Sequence, residues 1–184
     1  MKQELNLLDG YTPTNDLLND AKQIIEVSQK AAYRAVNLAL VQRNWLLGYR
    51  IAQEELKGEG RSEYGTAVIR KLAKELTAEY GKGFDYSSLY KYFRFYKLYP
   101  EIVDSVSPQS GAPLSWTHYR VLLQVEDKTA RDWYTKEAAE QTWSVRTLQR
   151  NISSQYYYRL LKSQNPEPVK QEMEKLTAGY QADK

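Results

Sequence analysis

Five side chains, Ser87, Tyr90, Lys91, Arg94 and Lys97, have types and spacing that point to chemistry. On a helix they fall on one outward face, while Leu89, Phe93 and Tyr96, at i, i+4 and i+7, form the apolar stripe opposite. Arg and Lys contact phosphates or guanine edges, and Ser and Tyr hydroxyls donate to phosphate oxygens. The chemistry on offer is recognition of a nucleic acid rather than bond breaking. The competing reading is a solvated face whose lysines only keep an amphipathic helix soluble.

The segment that must position these residues runs from Ser62 to Tyr99 and reads as two helices joined by a glycine turn. The first spans Ser62 to about Tyr80 and is expected to bury Val68, Ile69, Leu72, Ala73, Leu76 and Tyr80. Gly81 suits the left-handed position that ends a helix, Gly83 keeps the turn tight, and Asp85 caps the second helix. That helix is expected to pack on the first and to stop at Pro100. A helix-turn-helix module presents a helix to a groove in this way. Lys82 in the turn, with Arg70 and Lys74 on the first helix, are candidate phosphate contacts. Residues 61–100 hold 8 Lys/Arg against 4 Asp/Glu, whereas the 184-residue chain has a formal net charge of only +3. The cationic excess therefore lies on the segment that resembles a reading head.

Upstream, Asn15 to Leu56 reads as one long helix capped by Asn15 or Asp16. Its apolar residues, among them Ile24, Ile25, Ala31, Ala32, Ala35, Val36, Leu38, Val41, Trp45 and Leu46, cover more than one stripe. A helix lining a single core needs a stripe only about 100° wide. The wider coverage suggests a helix gripped from two sides, by its own domain and by a second copy, and so a homodimer. Gly48 either permits close helix contact or only weakens the helix. The glycine-rich stretch Leu56 to Gly65 breaks the pattern.

Downstream, Glu101 to Pro113 reads as a loop. Three helices follow, Ser115 to about Val125, Asp127 to about Gln141 and Ser144 to about Ser163, the last with Trp143 and Leu148 at the spacing of a hydrophobic staple. The pair flanking Thr142 is a second helix-turn-helix candidate, with Arg146, Thr147, Arg150 and Ser154 outward. Tyr156, Tyr157 and Tyr158 point in different directions around a helix, so packing suits most of them better than base stacking. The tail after Gln164 is polar and is expected to reach nothing. No strand-like run is present, and the fold class is all-α: a long N-terminal helix plus a helix-turn-helix-containing helical bundle.

Enzymatic readings find little support. Glu55 and Lys57 match the Glu-x-Lys spacing of metal-dependent nucleases, and Glu172 with Lys175 is a looser match, but both lie in helical sequence. That chemistry needs carboxylates converging on a metal ion from adjacent strands. His118, the single histidine, has no serine-and-acid constellation around it and reads as a structural hydrogen-bonder. With no cysteine, disulfides, thiolate catalysis and the usual zinc sites are excluded. No secretory signal or bilayer-spanning run is visible, so the expected address is the cytoplasm of a bacterium, without membrane contact.

Three blocks, NWLLGYRIAQEE, YGTAVIRKLAKELTAEYGKGFDYSSLYKYFRFYKLYP and LSWTHYRVLLQVEDKTARDWYTKEAAEQTWSVRTLQRNI, occur in this order. Together they resemble the N-terminal domain of the YhcG-like family, over roughly Ala21 to Lys184. In that family a helical domain precedes a PDDEXK nuclease domain. The LSWTHYRVLL and WSVRTLQ segments are also similar to the helical DNA-binding core of ParB-type partition proteins. The resemblance implies a targeting domain for duplex DNA, residues 15–163, after an extension over 1–14 and before a connector, 164–184, toward a nuclease domain absent here. It implies no catalytic residue and no cofactor in this chain, with Mg²⁺ expected only for the nuclease part. The alternative is a protein-interaction or oligomerisation module built on the long first helix.

Overall fold

The computed structural model describes residues 11–57, 62–102 and 114–180, and among them every regular element is a helix. The N-terminal extension up to residue 10, the glycine-rich break at 58–61 and the loop over 103–113 lie outside the described residues. The expected all-α class with a long first helix is what the chain adopts.

Helix α1 spans Leu17–Lys57, 41 residues without interruption. Asp16 caps it, its Oδ1 accepting from the amides of Leu18 at 2.9 Å and Asn19 at 3.2 Å. Burial along α1 is lopsided: Val41, Asn44, Trp45, Gly48, Ile51 and Ala52 are buried, and nothing between Leu17 and Leu40 is. The C-terminal half therefore belongs to the core, and the N-terminal half projects from it.

Helices α2 (Ser62–Tyr80) and α3 (Tyr86–Leu98) follow the expected boundaries. Their packing departs from expectation in two ways. The inner residues of α3 are Leu89, Tyr92 and Phe95, whereas Phe93 and Tyr96 are only half-buried. The principal partner of α3 is α1 rather than α2. The reason is Gly48: a Cβ built there would lie 2.0 Å from the Tyr92 carbonyl oxygen and 3.1 Å from the Tyr96 Cβ. The two helices thus cross with backbone against backbone, and the close-contact reading of Gly48 is the one realised. Tyr80, expected inside, is 62% exposed and lies against Phe84 with ring centroids 5.8 Å apart.

The remaining helices are α4 (Trp116–Leu122), α5 (Lys128–Glu140), α6 (Val145–Ser153), α7 (Tyr156–Lys162) and α8 (Glu167–Thr177). The single helix expected from Ser144 to Ser163 is two helices, because Gln155 adopts a left-handed conformation at φ 54° and breaks the run between α6 and α7. The expected cap at Ser144 is formed, its hydroxyl accepting from the Thr147 amide at 3.1 Å. The polar tail was expected to reach nothing, yet α8 places Met173 in the main core at 2% exposure.

Two apolar clusters result. Ile51, Ile69, Ala73, Leu89 and Tyr92 unite α1, α2 and α3, and a larger cluster from Val41 and Trp45 through Phe95, Tyr119, Leu122, Tyr134, Leu148 and Met173 unites the rest. Trp116 packs against both. Tyr156 is buried and its two neighbours half-buried, with Trp133 5.6 Å from the Tyr156 ring and 5.5 Å from that of Tyr157. All three therefore pack, as the sequence favours.

Candidate nucleic-acid interface

The turn between α2 and α3 is held at both ends. Gly81, at φ 79°, donates to the Thr77 carbonyl at 3.0 Å, and Gly83 sits at φ 113°. The Tyr92 hydroxyl donates to the Gly83 carbonyl at 2.9 Å, pinning the turn to the buried face of α3. Asp85 then caps α3 by accepting from the Ser88 amide at 2.9 Å. That amide, with the neighbouring Ser88 hydroxyl and Ser87 amide, holds the Asp85 carboxyl below its ordinary value.

With Leu89, Tyr92 and Phe95 turned inward, the outer arc of α3 carries Tyr86, Ser87, Tyr90, Lys91, Arg94 and Lys97, and all but half-buried Lys91 are exposed. The helix contains no Asp or Glu, so every charged side chain it carries is cationic; the neighbouring carboxylates are Asp85 at its cap and Glu55 beside Lys97. Lys82 in the turn and Arg70 and Lys74 on α2 are exposed as well. The structure joins the two helices through Arg70, whose guanidinium lies over the Tyr86 ring at 5.8 Å. Tyr86 in turn stacks on Tyr90, with centroids 6.2 Å apart and planes at 11°. Tyr86 is a candidate that the sequence reading missed; its signal is its place four residues before Tyr90 on the same helical face.

Not every candidate on this face is equally available. One Arg94 amino group donates to the Leu123 carbonyl at 3.0 Å, tying α3 to the end of α4. Lys97 pairs with Glu55 at 3.7 Å and lies over the Phe93 ring at 5.2 Å. Lys74 and Lys91 make no hydrogen bond or ion pair with another described residue, which leaves their ammonium groups to solvent or a ligand.

The second set sits on α6. Arg146 and Arg150 are exposed as expected, but Thr147 is buried and Ser154 half-buried, so neither belongs to the outer face. The outer stripe is Arg146, Gln149, Arg150 and Ser153, at i, i+3, i+4 and i+7. The turn before α6 forces Thr142 to φ 49°, and the Trp143 amide reaches back to the Ala138 carbonyl at 3.0 Å. This is a Schellman-type helix end made by a β-branched residue where glycine is usual.

The motifs set aside in the sequence have local partners. Glu55 faces Lys97, Lys57 pairs with Glu54 at 2.7 Å, and Glu172 pairs with Arg159. His118 is buried between two bonds: Nε2 donates to the Trp143 carbonyl at 2.9 Å, which leaves Nδ1 to accept from the Ser115 hydroxyl at 2.8 Å. It joins the start of α4 to the start of α6. Among the described residues, no group of three His, Cys, Asp or Glu residues could hold a metal ion. None of the described helices is long and apolar enough to cross a membrane.

Fold and site together define an all-α domain whose third helix, with no carboxylate in its own sequence, presents a cationic face. Residues 20–159 match the model of the DUF1016 N-terminal domain, and the chain belongs to that family. It is also similar to the Escherichia coli (strain K12) protein named "Putative nuclease YhcG", with 26% identity over 195 aligned residues. That alignment covers 91% of this chain and 52% of the relative, so the chain spans about half the length of the curated relative it matches. No solved structure matches the chain.

Proposed function

We propose that this domain binds duplex DNA, with α2, the turn and α3 acting as a helix-turn-helix and α3 as the helix that meets the groove. The observation that carries the reading is the outer face of α3. Tyr86, Ser87, Tyr90, Lys91, Arg94 and Lys97 form a continuous cationic and aromatic surface on a helix with no carboxylate of its own, extended by Arg70, Lys74 and Lys82. Phosphate contacts from the lysines would set the register, and Arg94 and the hydroxyls would read or brace the groove edge. Arg146 and Arg150 on α6 would supply a secondary backbone contact. In a protein of the relative's full length, the domain would deliver a metal-dependent nuclease part to its substrate, with Mg²⁺ bound outside this chain.

The test is fluorescence anisotropy of labelled duplex DNA across a salt series, using the wild-type chain and the Lys74→Ala/Lys91→Ala variant. These two lysines anchor no other element, so their removal leaves the fold intact, whereas Arg94 is unsuitable because it also holds Leu123. Binding should fall steeply with salt, and the double variant should lose about tenfold in affinity and about two units of salt slope. An unchanged slope in a folded variant would remove this face from the mechanism.

A further inference from the structure

Helix α1 carries two apolar faces that point in nearly opposite directions. Its C-terminal half buries Val41, Asn44, Trp45, Gly48, Ile51 and Ala52 against the domain. The second face runs through Leu18, Ala21, Ile25, Ser28, Ala32, Ala35, Ala39, Gln42 and Leu46, and all nine are exposed. At 3.6 residues per turn the centres of the two faces lie roughly 170° apart. Among the described residues none covers the second face, because the rest of the domain sits behind the helix. Leu18, Ile25 and Leu46 remain 64%, 56% and 52% exposed, with Leu17 and Ile24 alongside.

The spacing of this face alternates three and four without a break from Leu18 to Leu46. A helix that only borders a globular core follows its 3.6-residue period, whereas a sustained seven-residue repeat is the mark of a coiled-coil seam. No residue of the seam is charged. Its serine is suited to burial, since the Ser28 hydroxyl already donates to the Ile24 carbonyl at 2.7 Å. The partner must be a helix carrying a matching seam over four heptads, and among the described residues only α1 does. The seam is about 42 Å long and spans about half the helix circumference, roughly 700 Å² per copy. A standard stable interface needs about 800 Å² per partner.

We infer that this face is a self-association surface on which the α1 helices of two copies pair antiparallel. The bulky residues Leu18, Ile25 and Leu46 occupy one of the two alternating seam positions, together with Ala32 and Ala39, and Ala21, Ser28, Ala35 and Gln42 occupy the other. A parallel pair would set Leu18, Ile25 and Leu46 each against its own copy and Ser28 through Ala39 small against small, forcing the helices apart near the ends and leaving gaps between. An antiparallel pair sets one seam position against the other, so that no two of the bulky residues face each other and the spacing stays more even. The antiparallel helix dipoles also attract. This inference uses α1 alone and stands whether or not α3 meets DNA.

The experiment is sedimentation equilibrium of the whole chain at about 1–100 μM, beside the Ile25→Glu/Ala32→Glu variant. The wild type should be a dimer and the variant a monomer with an unchanged helical circular-dichroism spectrum, because neither residue touches the domain. Since the chain has no cysteine, a nitroxide at Asn19→Cys then reports orientation. Two labels on an antiparallel pair should lie roughly 35–45 Å apart, from the helical rise. A monomeric wild type, a dimeric double-Glu variant, or a label distance under about 20 Å would each overturn the inference.

Discussion

At the residue scale, a small number of polar groups fix the ends of the helices, and their ionisation sets limits on stability. Asp85 caps α3, and the amides and hydroxyl it accepts from lower its carboxyl pKa; Asp127 is lowered likewise, first by the Tyr158 hydroxyl. A carboxyl with a depressed folded pKa stabilises the fold above its unfolded pKa of about 3.9, and that contribution disappears as pH falls through the folded value. Burial pushes the Tyr99 phenol up to about 12, and burial raises Tyr119 as well. For a raised phenol the sign reverses: the contribution is complete below about pH 10 and is lost as pH rises toward the folded value. Thermal stability should therefore hold level at intermediate pH and fall on both sides. In a pH series of melting curves, Asp85→Ala should be less stable by about 1 kcal/mol at neutral pH and should show a weaker acid-side decline. The sequence made Asp85 legible because a short acceptor after a glycine turn has few other roles. It did not reveal that Arg94 and Lys97 also serve the fold, since their partners, Leu123 and Glu55, lie 29 and 42 positions away in the chain.

At the element scale, the helix boundaries marked by glycine, aspartate and proline were legible, and the packing between helices was only partly so. In YSSLYKYFRFYKLY, aromatic residues occupy so many positions that 89/93/96 and 89/92/95 are both plausible inner stripes. The choice is made by α1, which no local pattern within α3 can announce. Likewise the left-handed Gln155 has no glycine or proline to signal the break between α6 and α7. Gly48 is the residue that lets α1 and α3 meet, and Gly48→Ala tests it. A Cβ would overlap the Tyr92 carbonyl, with no flexible side chain there to give way. The helices must separate along the seam of both core clusters, and the loss should reach about 3 kcal/mol or prevent folding. A chemical-denaturation midpoint equal to that of the wild type would mean that the two helices are further apart in solution.

At the scale of the whole molecule, the domain is one interlocked set of helices rather than a reading head with appendages. Trp116 packs on both clusters, His118 joins α4 to the start of α6, and α8 reaches the main core through Met173. That last element lies in the stretch read from sequence as a connector, although Val169, Met173 and Leu176, at i, i+4 and i+7, carry a short helical signal among its charges. Met173 is inside at 2% exposure, with the Ser154 hydroxyl 3.7 Å and an Arg159 amino group 3.6 Å from its sulfur. Oxidation to the sulfoxide would add a polar oxygen to that packed slot and loosen the docked helix. The thioether can therefore serve as an internal clock, since peroxide reaches it only while α8 is lifted away. Mass spectrometry should find Met173 oxidised at least about tenfold more slowly in the native chain than in urea. The ratio of the two rates is the fraction of time that the C-terminal helix spends detached.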